Sequence, residues 1–163
     1  MDGVATAASI KQELTGHVAE LAKKGIQPGL GSILVGDDPA SATYINAKRK
    51  ACEEIGVVSF HEHLDSSISQ EKLLDVIQGM NENSAIDAIL VQLPLPKHIN
   101  EEAALLAVNP EKDVDGLHPV NLGRLVMGAD GPLPCTPAGI QHLLAAYDVP
   151  IAGQHVVDRK SVV

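Results

Sequence analysis

Three short apolar runs, each separated from the next by an amphipathic helical segment, constrain the fold more than any other feature of the sequence. The runs lie at residues 32–35, 57–60 and 88–91. The first and third are almost wholly apolar, which is typical of strands covered on both faces. Helices that join parallel strands cover both faces of the sheet through right-handed crossovers. The sequence therefore predicts an α/β fold, a three-layer sandwich with a mostly parallel sheet covered by helices on both faces.

Helix-end signals delimit the helical segments. Apolar residues recur at helical spacing from Ile10 to Leu21 before Gly25, and Asp38 with Pro39 marks the start of a second helix. Further helices are predicted over residues 69–80, 100–108 and 136–144. In the second helix, the predicted buried stripe consists of Ala40, Tyr44, Ala47, Ala51 and Ile55.

Composition narrows the possible functions. The 163 residues carry 12 basic and 21 acidic side chains, for a net charge of −9, and the one basic cluster is at residues 48–50. We expect no nucleic-acid partner, because such a chain repels a phosphate backbone. We expect no membrane partner, since no apolar stretch approaches the ~20 residues that span a bilayer. The two cysteines, Cys52 and Cys135, have no paired spacing, which favours a reducing compartment, the cytoplasm.

Lys48 is the first candidate functional residue. It lies one helical turn after Tyr44, so it falls on the side of the second helix that is predicted to be buried. An ammonium on a largely apolar face is unfavourable unless it is paired or neutralised, and such a group is suited to proton transfer. The alternative is a structural lysine whose aliphatic stem lies on the helix while its ammonium reaches solvent.

Polar residues beyond the third strand are the next candidates. Gln92 follows an apolar strand and precedes Leu93 and Pro94. Its amide is expected at the rim of the sheet, where it orients a ligand or a lysine, or else binds loop backbone. Asp113 and Asp115 are expected either to stabilise a turn or to accept hydrogen bonds from a ligand. The further oxygen ligands of a calcium loop do not follow them, so we predict no metal site.

Three other patterns are expected to be structural. His61 and His63 fall on one side of a strand end, but no third metal ligand is evident near them. Gly29 and Gly31 precede their strand, whereas a dinucleotide-binding turn follows one. Cys135 is predicted to precede a helix N-terminus, which would lower the pKa of its thiol, but no histidine is placed to make it a nucleophile.

Four ordered motifs stand out along the chain. They are VGDDPAS at residues 35–41 with Tyr44 and Lys48, VQLPLP at 91–96, KDVDG at 112–116 and PCTPAG at 134–139. Together they resemble the bifunctional methylenetetrahydrofolate dehydrogenase/methenyltetrahydrofolate cyclohydrolase family, and the similarity runs from residue 2 to about residue 153. The resemblance implies a role in one-carbon metabolism, with cyclohydrolase and NADP-dependent dehydrogenase activities.

The same resemblance implies roles for individual residues. Tyr44 would stack on the aminobenzoate ring of a tetrahydrofolate substrate, and Asp115 would hold its pterin. Lys48 would be the acid–base catalyst, with Gln92 positioning it. The residues expected to line the cleft are Ser41, Val91, Leu93 and Cys135. NADP is the implied cofactor, which the family holds in a separate Rossmann domain. In this chain no residue is assigned to NADP, and Cys135 is the only candidate for a contact with it. A homodimer is the implied assembly.

The resemblance also predicts the domain organisation. Residues 1–150 are expected to form a tetrahydrofolate-binding catalytic domain, and residues 151–163 the start of a missing dinucleotide-binding domain. After residues 153–157 the family continues into a Gly-Arg-Ser phosphate turn, whereas this chain reads DRKSVV and stops. We therefore expect no dehydrogenase activity, and weak or no cyclohydrolase activity, from this chain alone.

One alternative from another functional class stays open, and a second fails on the sequence. One is a non-catalytic folate-binding or subunit-association module with no turnover. The other is a response-regulator-like domain, suggested by Asp37 and Asp38 after the first strand, since paired acids there can hold magnesium. Gln92 opposes this second alternative, because it ends the third strand where a phosphoacceptor aspartate would be required.

Overall fold

The computed structural model describes residues 1–157, in which helices and strands alternate through the first four helices and three strands, and two further helices follow. The elements are α1 (Gly3–Lys23), β1 (Gly29–Val35), α2 (Pro39–Ile55), β2 (Val58–Leu64), α3 (Gln70–Glu82), β3 (Ala88–Val91), α4 (Glu101–Ala107), α5 (Pro119–Met127) and α6 (Cys135–Ala145). Across these residues, none of the helices combines the length and the hydropathy that a membrane span requires.

The three strands form one parallel sheet in the order β2-β1-β3. β1 lies in the centre and pairs with β2 from Gly29↔Val58 onward and with β3 from Leu30↔Ala88 onward. An isolated parallel bridge between Ile89 and Asp113 extends the pairing beyond β3. The predicted α/β class and the parallel sheet are confirmed.

The core is divided between the two faces of the sheet. On one face, Ile33 and Val35 of β1 belong to a large buried cluster to which α3 and α4 contribute. On the other face, Leu34 packs with Ile45 of α2 and Leu90 of β3. Because successive side chains of a strand point to opposite faces, one central strand anchors both layers of helices. The three-layer arrangement follows from this alternation.

Helix starts occur where the sequence predicts them. The Asp38 carboxylate accepts a hydrogen bond of 2.8 Å from the backbone N–H of Ser41 and caps α2. Ser69 and Asn100 cap α3 and α4 through the same kind of side-chain contact. Such caps satisfy backbone donors that a first helical turn leaves unpaired. The local signals therefore place the start of each strand-covering helix correctly.

The predicted buried stripe of α2 is wrong. Tyr44 is 62% exposed, and Ala40 and Ala47 are exposed as well. The buried residues of α2 are Ser41, Ile45 and Cys52. Both stripes have helical spacing, and the sequence pattern alone does not say which of them faces the sheet. Lys48 is partly buried and lies between Ile45 and Cys52 along the observed stripe. The prediction that its side chain is partly shielded from solvent is therefore confirmed, although the stripe from which it was argued is not.

Two other element predictions are incomplete. β2 continues to Leu64, so His61 and His63 lie within the strand rather than at its end. α5 was not predicted, because His118 is an unusual N-cap residue and Gly123 interrupts the helical pattern. The domain boundary near residue 150 stays a prediction, and residues 158–163 of the predicted second segment lie outside the described residues.

Candidate active site at the carboxyl edge of the sheet

A lysine and a glutamine from different elements meet at the carboxyl end of β3. Lys48 Nζ donates a hydrogen bond of 3.0 Å to Gln92 Oε1. Lys48 lies in the middle of α2, where the buried Ile45 and Cys52 hold the helix against the sheet. The ammonium is therefore directed along the sheet toward β3, and not freely into solvent as the structural alternative required.

The orientation of the Gln92 amide is fixed from both ends. Its Nε2 donates a hydrogen bond of 2.8 Å to the carbonyl oxygen of Leu93, which leaves Oε1 to accept from Lys48. Since only the oxygen of an amide can accept from an ammonium, the backbone contact determines which end faces the lysine. The sequence left two possible partners for the Gln92 amide, a lysine and the loop backbone, and the amide binds both.

The two aspartates after β3 have different environments. Asp113 is buried, and its carboxylate accepts hydrogen bonds from the backbone N–H groups of Leu117 and His118. Asp115 is partly exposed and lies beside the Cys135 thiol. Asp113 thus stabilises the turn, while Asp115 is available to a ligand. The turn also requires Gly116, which has a φ of 63° and where a Cβ would lie 2.7 Å from Pro132 O.

Cys135 completes the cluster of Lys48, Gln92 and Asp115, but the predicted lowering of its thiol pKa is wrong. Burial is the main cause that raises the pKa of its thiol above the ordinary 9.0, and the neighbouring Asp115 carboxylate adds to it. The Lys48 ammonium acts in the opposite direction and only in part offsets these effects. The expected helix N-terminal effect is thus outweighed, since the thiol faces a carboxylate and donates toward Val114 O at 3.7 Å. Cys135 remains a residue that lines the cleft.

An open depression of about 290 Å³ lies at this cluster. Its lining residues are Asp115, Leu117, Pro134, Cys135, Thr136 and Pro137. Tyr44 is near the start of α2 with its ring largely exposed, so a planar ligand can reach it. Ser41 and Val91 are buried, and Val91 with the partly buried Leu93 packs in the core cluster on the α3 side. None of these last three side chains lines the depression, so their place in the walls of the site stays a prediction.

The histidine pair has structural partners. The rings of His61 and His63 have centroids 6.4 Å apart, His61 Nδ1 lies 3.0 Å from Ser32 Oγ, and His63 Nε2 lies 2.9 Å from Gly36 O. Within residues 1–157, no group of three histidine, cysteine or acidic side chains is placed to hold a metal ion. The pair therefore joins β2 to β1 and to the loop after β1.

The sequence pattern does not predict the polar network that supports residues 113–118, which we call the aspartate turn. Asn121 is fully buried in α5 and donates hydrogen bonds of 2.9 Å to Asp113 Oδ2 and Pro110 O. Its Oδ1 accepts from Arg124, which also binds Glu111. A signal was available in principle, because a proline directly after His118 marks a first helical turn. That turn would have placed Asn121 and Arg124 on one helical face.

Fold and site together define a class of protein. A parallel α/β domain places a fixed lysine–glutamine pair, a carboxylate and an open cleft at the carboxyl edge of its sheet, where ligands of such folds bind. Residues 1–115 match the family described as tetrahydrofolate dehydrogenase/cyclohydrolase, catalytic domain. The chain belongs to this family.

Individual relatives agree with the family match. The bifunctional protein FolD of Campylobacter hominis is 50% identical over 165 residues, which cover 100% of this chain and 58% of the relative. That of Syntrophotalea carbinolica is 48% identical over 157 residues, covering 96% and 54%. The chain thus spans little more than half the length of these curated relatives.

Solved structures show the same fold. The crystal structure of the bifunctional enzyme FolD, a methylenetetrahydrofolate dehydrogenase/cyclohydrolase from Campylobacter jejuni, superimposes with a TM-score of 0.88 at 48% identity, covering 91% of this chain and 53% of that one. The Trypanosoma brucei dehydrogenase–cyclohydrolase, complexed with NADP cofactor and inhibitor, gives a TM-score of 0.90 at 41% identity, covering 94% and 53%.

Proposed function

We propose that this chain binds a tetrahydrofolate derivative in the cleft and, with weak turnover on its own, catalyses the cyclohydrolase reaction of its family, the hydrolysis of methenyltetrahydrofolate. The observation that carries the proposal is the 3.0 Å bond from Lys48 Nζ to Gln92 Oε1, because it holds an ammonium in one direction. This ammonium is near enough to the Cys135 thiol, which lines the open cleft, to act on its pKa. A merely solvated lysine would have no such partner.

The chemistry of cyclohydrolysis suits these side chains. Water adds to the cationic methenyl carbon and loses a proton, and one carbon–nitrogen bond then breaks to leave a formyl group. The reaction needs one group that takes a proton from water and returns a proton to the leaving nitrogen. We assign this exchange to Lys48 Nζ, which takes the proton as the neutral amine and returns it to the leaving nitrogen as the ammonium. Gln92 Oε1 accepts a hydrogen bond from one N–H group of Lys48. This bond restricts the directions in which the Lys48 nitrogen can face the substrate.

The remaining cleft residues are proposed to bind substrate. Asp115 offers a carboxylate that can accept hydrogen bonds from the N–H groups of a pterin, and the exposed face of Tyr44 can stack on an aminobenzoate ring. Ser41, Val91, Leu93 and Cys135 are assigned to the walls of the cleft. These assignments follow the family motif by motif.

NADP is the cofactor that the family resemblance implies, but residues 1–157 do not fit it. A pyrophosphate binds at a glycine turn that leads from a strand into a helix N-terminus. After β1, the turn at Gly36 leads into α2 through Asp37 and Asp38, whose carboxylates would repel it. Gly29 and Gly31 lie inside β1 instead. Hydride transfer is therefore assigned to no residue of this chain.

The cellular setting is part of the same proposal. We infer a cytoplasmic protein, because both cysteines are free thiols: Cys52 is buried in α2 and Cys135 lies at the site. We further propose that residues 1–150 form the folate-binding unit, and that the protein assembles as a homodimer like its family.

A lysine substitution with a matched control tests the proposal. Lys48→Met removes the ammonium and keeps the length of the side chain, whereas Lys50→Met removes an ammonium that is 77% exposed on the same helix. Cyclohydrolysis is followed as loss of the methenyl absorbance, and binding of 5-formyltetrahydrofolate is followed by calorimetry. We expect Lys48→Met to lower turnover by about 100-fold or more and Lys50→Met to leave it unchanged.

Each outcome has a distinct meaning. Equal turnover in the parent chain and Lys48→Met would remove Lys48 from the catalytic role. Binding without turnover in the parent chain would favour the non-catalytic folate-binding module. If the parent chain shows no binding and no turnover, the proposed function of this chain is refuted.

A further inference from the structure

The turn that carries Asp115 is closed by a carboxylate that does not itself face the cleft. Asp113 is 7% exposed, and it accepts hydrogen bonds from His118 N at 2.9 Å and Leu117 N at 3.3 Å. The donors follow Asp115 in the chain, while the acceptor precedes it. Any movement of Asp113 is therefore transmitted to both ends of the turn.

A single buried amide holds Asp113 in place. Asn121 is 0% exposed, and its Nδ2 donates hydrogen bonds of 2.9 Å to Asp113 Oδ2 and of 2.9 Å to Pro110 O. Its Oδ1 accepts from Arg124 Nη1 at 3.1 Å, and Arg124 Nη2 binds Glu111 at 3.0 Å. The arginine contact defines which end of the amide is the oxygen, so both N–H bonds must face the turn.

Backbone pairing connects this turn to the site. Ile89 N donates to Lys112 O, and Val114 N donates to Ile89 O, in the bridge that aligns Asp113 with Ile89. The bridge is isolated, and the chain turns at Val114 and Asp115 directly after it, so Asp115 lies in a turn that begins beside β3. The position of Asp115 relative to the Lys48–Gln92 pair thus depends on the position of the 110–114 segment that Asn121 holds.

We propose that Asn121 is a positioning residue for the folate site, holding Asp115 where it can bind the ligand opposite Lys48. Asn121 is buried and touches no reacting group, so it acts through Asp113 and the turn. The identity of the ligand rests on the proposed function, whereas the positioning of the turn does not.

The first test replaces the amide by an isosteric carboxyl group. In Asn121→Asp, an oxygen without a proton faces the Asp113 carboxylate and Pro110 O, so two hydrogen bonds are lost and a like-charge contact appears. We expect the Kd for 5-formyltetrahydrofolate near neutral pH to rise by about 10-fold or more. Relative to the parent chain, this loss should shrink as the pH is lowered, because the protonated carboxyl can donate again.

A matched control separates positioning from general loss of stability. Asn81 of α3 is also a bridging amide, donating to Ala107 O at 2.7 Å and accepting from Asn109 N at 2.9 Å, but neither partner belongs to the aspartate turn. We expect Asn81→Asp to lower Tm while leaving the Kd of the folded protein unchanged. If both variants weaken binding equally, or if Asn121→Asp binds like the parent chain, the proposal is overturned.

A second variant and a ligand-free measurement complete the test. Should Asn121→Asp not fold, Arg124→Gln leaves the two N–H bonds of the amide in place and removes the arginine's bonds to Asn121 Oδ1 and Glu111. It is expected to raise Kd by a smaller factor, and an unchanged Kd would count against the proposal. Hydrogen exchange of the Leu117 and His118 amides should be faster in either variant than in the parent chain. If the parent chain binds no folate, the proposed function fails, while exchange at these amides still decides whether Asn121 holds the turn.

Discussion

His61 links the strand β2 to the central strand through an imidazole with an altered protonation equilibrium. Partial burial, and after it the charge of Arg49, lower the pKa of this ring below its ordinary value of 6.5, although Ser32 and Glu62 act in the opposite direction. The unfolded chain therefore takes up a proton at a higher pH than the folded chain does. Stability is lost as the pH falls through about 6.5 toward the lower folded pKa.

We expect His61→Gln to reduce the decline in Tm between about pH 7 and about pH 5, because the substituted chain has no imidazole to protonate at this position. His17→Gln, on the exposed surface of α1, is the control and should decline like the parent chain. Thermal unfolding followed by circular dichroism measures both. If the Tm of His61→Gln falls with pH as steeply as that of the parent chain, His61 is not a source of the acid destabilisation.

The Cys135 thiol reports on the charges of the cleft. The Asp115 carboxylate raises its pKa and the Lys48 ammonium lowers it, so the two neighbours should change its alkylation in opposite directions. Near pH 8 we expect Asp115→Asn to speed the reaction with iodoacetamide and Lys48→Met to slow it, since the thiolate is the reacting species. Mass spectrometry distinguishes Cys135 from the buried Cys52. Equal rates in all three chains would show that these charges do not reach the thiol.

The candidate site could be predicted residue by residue only in part. Lys48 and Gln92 could be predicted because each is a polar residue in an apolar context, and the structure joins them. The different environments of Asp113, which stabilises the turn, and Asp115, which is partly exposed, could not be predicted. The two side chains are identical and two residues apart, so they differ only in their tertiary surroundings. The helical position of Asn121 could have been predicted from Pro119, but its buried role could not, since that role depends on partners in the loop before α5.

At the scale of elements, the start of α2 is the most informative boundary. Asp38 accepts from Ser41 N at 2.8 Å, and this bond lowers the pKa of the carboxyl below 3.8. Asp38→Ala should destabilise the fold, because it removes the cap of α2, and Asp37→Ala, whose side chain is 89% exposed, should destabilise it much less. Urea unfolding at neutral pH measures the difference. It should narrow as the pH falls below about 4, where the unfolded and then the folded carboxyl is protonated.

The limits of element prediction have local physical causes. Strands β1 and β3 and helices α2 to α4 were predictable, because short apolar runs and strong cap residues mark them. β2 extends further than predicted because its second half, from His61 to Leu64, is stabilised by pairing with β1 and not by its own hydropathy. The face of α2 was ambiguous, since alanines and a tyrosine at helical spacing resemble a buried stripe as closely as Ser41, Ile45 and Cys52 do.

For the whole molecule, stability depends on the central strand. Ile33 is 0% exposed in the cluster that joins the sheet to α3 and α4. Ile33→Ala should lower the free energy of unfolding by about 2–5 kcal/mol, through lost burial and the cavity left behind. Val126→Ala, at a site 87% exposed, is the control and should change it by less than about 0.5 kcal/mol. Denaturant titration measures both, and similar losses would show that the core is not where the structure places it.

Lys48 lies on the same stripe of α2 as Ile45 and Cys52, which are both buried. A helix that served only to cover the sheet would carry an apolar side chain there, since an ammonium gives up part of its hydration on folding. The variant made to abolish turnover, Lys48→Met, should therefore melt at a higher temperature than the parent chain. Under the proposed function, the side chain that serves turnover at this position is therefore not the one that would give the fold its greatest stability.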